Sequence, residues 1–425
     1  MKKIFALSIL FLLLTSVAFA GTVNLPRTGQ TKCYNESETP IPCAGTGQDG
    51  EIQAGVAWPD SRFTLNTDTT ITDNLTGLVW APDGNVMKTR DSGWDTDGTA
   101  NDGRVTWEHA LDYVAKLNAE NYLSHNDWRL PNVNELESLV YAGIEYPTES
   151  DTVASWLNSM GFTNVQVGYY LSSTSLADTP AGFFWLVDMA NGFVSHGSKG
   201  YSDGFYVWPV RAGDSNSNPA RVWKTGQTIS YYANDDGELK KGVDWPSPRF
   251  TDHGNETVTD NLTGLMWVKN ANLPGDTKTW QEALDYVAGM NAGIGTFGYT
   301  DWRLPNRKEL HSLTDFSRYN PALPLGHPFT NVQASLYSRY WSSTTNGQSY
   351  YKYWAWNAAM YYGHVEYDGK SNNTYYEYVW PVRGGQVEPT GCSTWADVIA
   401  KYQAYVSNQA SWNDVITCYN QYASP

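Results

Sequence analysis

The sequence predicts an α+β protein built from two tandem copies of one domain. Three observations support this: motifs that recur in the same order, an amphipathic helix in each copy, and a long strand-rich second half of each copy. The recurring motifs are TDNLTGLVW at 72–80 and TDNLTGLMW at 259–267, ALDYVA at 110–115 and 283–288, DWRLPN at 127–132 and 301–306, LSST at 171–174 and WSST at 341–344, and VWPVR at 207–211 and 379–383. Because their order is kept over long spacings, they indicate a duplicated domain and not a short solenoid repeat.

Each copy is predicted to begin with antiparallel strands and continue into a helix. In the second copy, strand-like stretches within 249–267 flank the turn-rich HGNE, and a second turn at NLTG precedes an apolar strand. Apolar residues then follow at i, i+3, i+4 and i+7, which predicts an amphipathic helix. These residues are Trp280, Ala283, Leu284 and Val287 in the second copy and Trp107, Ala110, Leu111 and Val114 in the first.

A second helix is predicted directly after DWRLP in both copies. Asn306 is placed as its N-cap with Glu309 three residues later, and Asn132 and Glu135 repeat this capping pattern in the first copy. The rest of the second copy, about 336–383, has strand-like composition. Two helices followed by a long, irregular β-rich half define the α+β class.

The two ends of the chain lie outside the two copies and carry signals of their own. Lys2 and Lys3, a short apolar stretch and the sequence Ala-Phe-Ala predict a secretory signal peptide, with no membrane span in the mature chain. The predicted location is therefore secreted or on the cell surface, with the periplasm as an alternative. The predicted divisions are a signal peptide at 1–20, a first domain at 21–213, a linker at 214–223, a second domain at 224–385 and a helical tail at 386–425.

Charge and cysteine content narrow the classes of partner and chemistry. The formal net charge of −16 argues against nucleic acid as a partner. Four cysteines in an exported chain predict disulfides, and local pairing of Cys33 with Cys43 and of Cys392 with Cys418 is the simplest of the three connectivities. The second pair would fasten the tail, in which TWADVIAKY and SWNDVITCY predict a helical hairpin.

No catalytic residue, cofactor or metal ligand is predicted. His311 and His364 occur singly, and no paired cysteines or spaced histidines form a metal-binding motif. The Asp-rich stretches at 95–103 and 251–260 could offer oxygen ligands to calcium, but they lack EF-hand spacing and have the composition that turns require. We therefore interpret both stretches as turns.

Together, RFTD, TDNLTGLMW, DWRLPN-x-x-E-L, YWSST and PVR resemble the Lcl C-terminal domain family over nearly the full length of both copies. This resemblance implies two tandem domains of the C-type-lectin-like fold, which is also found in formylglycine-generating enzymes and in the variable proteins of diversity-generating retroelements. The segment 355–383 is similar to the diversified segment of such variable proteins. The formylglycine activity depends on active-site cysteines, and these two cores contain none.

Tyrosines distinguish the second copy from the first. Residues 337–378 contain eleven tyrosines, whereas the aligned residues 168–206 contain four. Since the framework repeats and the rings do not, the excess is predicted to form an outward recognition surface in which tyrosine supplies rigid contact area. The predicted ligand-binding residues are Tyr351, Tyr353, Asn357, Tyr361, Tyr362, His364, Glu366, Tyr367, Asp368, Asn372, Asn373, Tyr375 and Tyr376.

The sequence thus predicts an exported, non-enzymatic adhesin-type protein that recognises a cell-surface protein or glycan. Two alternatives stay open. The rings could simply cover a loop-rich surface or pack against the first copy. The same face could instead serve self-assembly, making the protein a structural or filament-forming subunit and a homo-oligomer.

Overall fold

The protein is described here by a computed structural model. It describes residues 22–37, 39–95, 99, 101–144, 151–201, 204–212, 218–347, 353–370, 377–384, 398–399 and 402. The predicted signal peptide, and the predicted hairpin of the tail apart from its residues 398–399 and 402, lie outside these residues. So do Cys392 and Cys418, whereas the predicted disulfide between Cys33 and Cys43 is present.

The first copy, residues 59–212, follows a lead-in at 22–58. The lead-in contains β1 Cys33–Tyr34, β2 Pro40–Ile41 and α1 Asp49–Ile52. The strands of the first copy are β3 Phe63–Leu65, β4 Ile71–Asp73, β5 Leu78–Trp80, β6 Arg104–Val105, β7 Tyr169–Ser175, β8 Phe183–Asp188, β9 Val194–Ser198, β10 Phe205–Tyr206 and β11 Val210–Ala212. Its helices are α2 Val86–Arg90, α3 Trp107–Ala119, α4 Val133–Ser138 and α5 Val153–Ser159.

The second copy, residues 246–384, follows a second lead-in at 218–245 that contains α6 Asp236–Leu239. Its strands are β12 Phe250–Asp252, β13 Thr257–Asp260, β14 Met266–Val268, β15 Tyr340–Thr345, β16 Trp354–Ala359, β17 His364–Gly369 and β18 Val382–Arg383. Its helices are α7 Trp280–Met290 and α8 Arg307–Ser312. Mixed helices and antiparallel sheets confirm the α+β class.

Local sequence signals account for the helices that the two copies share. Asn132 and Asn306 each accept a hydrogen bond from the backbone N–H of the glutamate three residues on, which completes the predicted capping boxes. The predicted apolar stripes of α3 and α7 are buried. The arginine of each DWRLP motif has a structural role: Arg303, for example, forms a bidentate pair with Glu309.

One sheet runs through both copies. Within the described residues it has eight strands in the order β15-β16-β17-β9-β8-β7-β10-β6. The copies meet where β17 pairs antiparallel with β9, with Val365 opposite Val194. These two valines are equivalent residues, because each follows the same turn after a methionine, Met189 in the first copy and Met360 in the second. The copies are therefore related by a pseudo-two-fold axis that passes between them.

The two lead-ins cross over to the opposite copies. In the first, the Asp49 carboxylate accepts hydrogen bonds from Thr28 at 2.6 Å and from Thr344 of the second copy at 2.7 Å. In the second, the Asp236 carboxylate accepts bonds from Thr225 at 2.6 Å and from Thr174 of the first copy at 2.8 Å. Each lead-in thus holds the Ser-Ser-Thr strand of the copy that it does not directly precede.

Candidate ligand-binding face

One end of β15, β16 and β17 carries a cluster of polar side chains, here called the polar cluster: Arg339, Asn357, Glu366, Asp368 and Glu377. Asn357 lies directly opposite Glu366 across the two strands, so the two side chains project from the same face. The Asn357 amide donates to Asp368 Oδ2 at 2.9 Å and to Glu377 Oε1 at 2.8 Å. Asn357 and Glu377 are only 1% and 4% exposed, so they form a buried floor.

The rim of the polar cluster is more accessible than its floor. Arg339 donates to Glu366 Oε2 from Nη2 at 2.9 Å and from Nε at 3.2 Å, and its Nε lies 3.8 Å from Asp368 Oδ2. Arg339 also donates to the carbonyl of Leu336. This bond attaches the cluster to a turn at which Tyr337 is 90% exposed and Leu336 is 52% exposed.

The floor contains a carboxyl group, that of Glu377, whose surroundings disfavour ionisation. Burial, reinforced by the neighbouring Asp368 carboxylate, raises the pKa of Glu377 well above its ordinary value. Glu377 Oε1 accepts a hydrogen bond from the Asn357 amide, and the Glu377 carboxyl group also interacts with that of Asp368. With the Arg339 guanidinium on the rim, the face therefore presents both hydrogen-bond donors and acceptors.

The equivalent positions of the first copy carry a different chemistry. Tyr169, Leu186, Ser195, Gly197 and Phe205 occupy the places of Arg339, Asn357, Glu366, Asp368 and Glu377, respectively. The rings of Tyr169 and Phe205 lie 6.4 Å apart, edge to face. A shared scaffold thus carries an apolar patch in one copy and a hydrogen-bonding cluster in the other.

Several predicted ligand-binding residues contact the first copy and are not free on an outward face. The Tyr362 hydroxyl donates to Asp178 at 3.0 Å, and His364 Nε2 lies 2.7 Å from His196 Nδ1. Tyr367 is buried, with its ring 4.4 Å from that of Phe193. In β17 burial alternates as the period-two pattern predicts, with Val365 and Tyr367 on the buried side, whereas in β16 both sides are buried from Ala355 onwards.

The burial of Asn357 also differs from the expectation. The alternation predicts an outward side chain, but Asn357 forms the floor of the polar cluster, where it contacts Glu377 and Asp368. Tyr353 and Tyr361 are half-buried, as are Glu366 and Asp368 on the rim. The predicted residues Tyr351, Asn372, Asn373, Tyr375 and Tyr376 lie outside the described residues.

Sequence reasoning missed Arg339 and Glu377 as members of the site. Both stand just outside recurring motifs, Arg339 before YWSST and Glu377 before YVWPVR. A position-by-position comparison of the copies would have found them, since their counterparts are Tyr169 and Phe205. Tyr337 falls within the tyrosine-rich stretch, but its exposure depends on the turn geometry.

Metal-binding clusters and membrane-spanning helices are both absent from the described residues. Among the described residues, no group of three or more histidine, cysteine, aspartate or glutamate side chains is arranged to hold a metal ion. The described helices include none that is both long and apolar enough to cross a membrane.

The family assignment rests on two matched segments. The model of the Lcl C-terminal domain matches residues 69–211 and residues 256–383, which together make up more than half of the chain. The chain therefore belongs to the Lcl C-terminal domain family, and the two matches coincide with the two copies. No curated protein shows significant similarity to the chain.

Proposed function

We propose that this protein is an exported, non-enzymatic binding protein with two C-type-lectin-like domains, whose second copy recognises a protein or glycan on a cell surface. Its recognition surface would be the polar cluster together with the exposed turn at Leu336 and Tyr337. The observation that carries the proposal is the contrast between the copies at equivalent positions, apolar in the first and hydrogen-bonding in the second.

The chemistry of this surface suits recognition. Arginine, asparagine and carboxylates offer directional hydrogen bonds, and an exposed tyrosine adds a flat ring at low ordering cost. Arg339 is oriented by Glu366, and Asn357 by Asp368 and Glu377, so the polar groups are held in place before a ligand arrives. The tyrosine-rich sequence around this face also supports the likeness to diversified variable proteins.

A binding experiment with matched variants tests this proposal. The full chain is screened against an array of immobilised glycans and a displayed library of short peptides. The test variant combines Glu366→Ser, which introduces the residue of the first copy, with Tyr337→Val, which removes the exposed ring. We expect it to lose about tenfold or more of the affinity of any selected ligand.

The control combines Ser195→Ala, at the position equivalent to Glu366, with Val167→Ala in the exposed turn that precedes β7, and it should bind like the wild type. Equal binding by the test variant, or no selected ligand from either probe, would count against the proposal. Size-exclusion chromatography examines the alternative of self-assembly. Oligomers that grow with concentration and vanish in the test variant would assign this face to contacts between chains.

A further inference from the structure

The copies meet through two short helices whose contacts obey the pseudo-two-fold relation. Helices α4 and α8 have the sequences VNELES and RKELHS, so Asn134 corresponds to Lys308 and Glu137 to His311. Lys308 Nζ lies 3.1 Å from both carboxylate oxygens of Glu137. His311 Nε2 lies 3.0 Å from Asn134 Oδ1. The second residue of each helix therefore contacts the fifth residue of the other helix, and this contact occurs twice.

The atoms in these pairs have defined roles. The Asn134 amide nitrogen donates to the carbonyl of Trp223, so its Oδ1 is the acceptor and His311 Nε2 is the donor. Burial opposes ionisation of Glu137, but Lys308, with His311 and Arg307, holds its pKa below the ordinary value. All four side chains of the two pairs are buried.

A second set of contacts follows the same relation on β9 and β17. Phe193 corresponds to His364 and His196 to Tyr367, each pair lying at the same place after the shared turn. Across the junction, Phe193 packs on Tyr367, whereas His364 contacts His196. One of the two equivalent contacts is thus between a phenylalanine and a tyrosine ring, and the other is between two imidazole rings.

The side-chain pairs between α4 and α8 are complementary only when the two helices come from unlike copies. If two second copies met in this way, each Lys308 would face the other's His311, and neither cation would have a carboxylate. If two first copies met, each Glu137 would face Asn134 and be buried without a cation. A buried charge that has lost its partner typically costs about 3–5 kcal/mol. Like pairings are therefore disfavoured relative to the observed one.

We infer that α4 and α8 form a copy-recognition surface, which accepts the unlike copy of this chain and rejects a like copy. The partner that fits α8 is a helix bearing a carboxylate at the position of Glu137 and a carbonyl acceptor at that of Asn134. This inference is independent of the ligand-binding proposal, because the residues involved are buried between the copies and lie apart from the polar cluster.

Exchanging residues between the copies tests this inference. A half-exchanged chain carries Lys308→Asn and His311→Glu, so both helices have the residues of α4 at these two positions, while Arg307 is kept in every variant. A fully exchanged chain adds Asn134→Lys and Glu137→His, which restores both complementary pairs in the opposite sense. We expect the half-exchanged chain to lower the thermal unfolding midpoint by about 5 °C or more. The fully exchanged chain should recover at least half of that loss despite carrying twice as many substitutions.

Every outcome bears on the inference. A half-exchanged chain that does not fold, beside a fully exchanged chain with wild-type circular dichroism, would support it. A fully exchanged chain as unstable as the half-exchanged one, or unfolded, would overturn it, and so would a half-exchanged chain with the wild-type midpoint. Ligand selection on the fully exchanged chain separates the two proposals, since a failed exchange leaves the test of the polar cluster unaffected.

Discussion

The two copies share a framework and differ at one end of the sheet. In both, a capped helix follows DWRLP, an arginine pairs with the helix-cap glutamate, and an aspartate of a lead-in is held by two threonines. At the outer end of the three strands, however, the first copy packs Phe205 and Gly197 where the second bonds Glu377 and Asp368. Duplication has kept the groups that build the fold and changed those on one face.

This difference shows how one end of the sheet can change its chemistry while the framework of the copy stays the same. The buried floor of the first copy is filled by rings, so its strands need no hydrogen-bonding side chains there. In the second copy, the Asn357 amide donates to Asp368 and Glu377 beneath a half-exposed rim. Hydrogen bonds of this kind offset part of the cost of burying polar groups at that depth.

The largest expected effect comes from placing a second-copy residue in the first copy. A Cβ at Gly197 would lie 2.8 Å from Phe205 and 2.9 Å from Leu186. Gly197→Asp adds both this clash and a carboxylate without a partner, so we expect a loss of about 3 kcal/mol or more in urea unfolding. The reciprocal Asp368→Gly should cost about 1 kcal/mol. Similar losses in both variants would show that the two faces do not differ as described.

A shared feature, the buried aspartate of each lead-in, should give a pH-dependent effect of intermediate size. Burial raises the pKa of Asp49 to about 6 and that of Asp236 to about 7. The folded protein therefore holds protons that the unfolded chain releases, and its stability falls as pH rises from about 4 towards these values.

Asp236→Asn removes that loss, so its stability relative to the wild type should be greater at pH 8 than at pH 5, by an amount on the order of 2 kcal/mol. Asp49→Asn should behave alike, with its change centred about one pH unit lower. Urea unfolding at a series of pH values measures both. An offset from the wild type that stays constant with pH would contradict this expectation.

A smaller effect is expected from removing the shared donor of the polar cluster. Asn357→Leu introduces the residue of the first copy and takes a hydrogen bond from both Asp368 and Glu377. We expect a loss of roughly 1–2 kcal/mol in urea unfolding. Leu186→Met, an apolar exchange at the equivalent position, serves as the control and should cost less. If Asn357→Leu were as stable as the wild type, the floor would not depend on its amide.

Local signals predicted much of the framework. The capping boxes at Asn132 and Asn306 and the stripes of α3 and α7 depend on residues within a few positions of one another, and they were found. The buried contacts of Tyr362, His364 and Tyr367 were not, because alternation identifies the two sides of a strand without identifying what covers each side. Only the pairing of Val365 with Val194, residues far apart in sequence, places the first copy there.

The crossing of the lead-ins was also beyond the sequence. The repeated TGQT at 28–31 and 225–228 marks two equivalent segments, but each is compatible with packing on either copy. Distant hydrogen bonds decide between these arrangements, such as that from Gln30 to the carbonyl of Thr345. Three of the five residues of the polar cluster, Asn357, Glu366 and Asp368, were among the predicted ligand-binding residues. Arg339 and Glu377 lie near the two ends of the same tyrosine-rich stretch and were not predicted.

The crossed lead-ins have a consequence for the order in which a newly made chain can mature. Thr344 is joined to Asp49 across 295 positions of sequence, so Asp49 of the first lead-in lacks this partner until the second copy is made, and Thr174 of the first copy lacks its own until Asp236 is made. The first part of the chain therefore acquires its last native contacts only when the second copy has been synthesised. Translation that stops early would release a chain in which surfaces that normally contact the missing part are exposed. Proteases could distinguish such a chain from the complete protein.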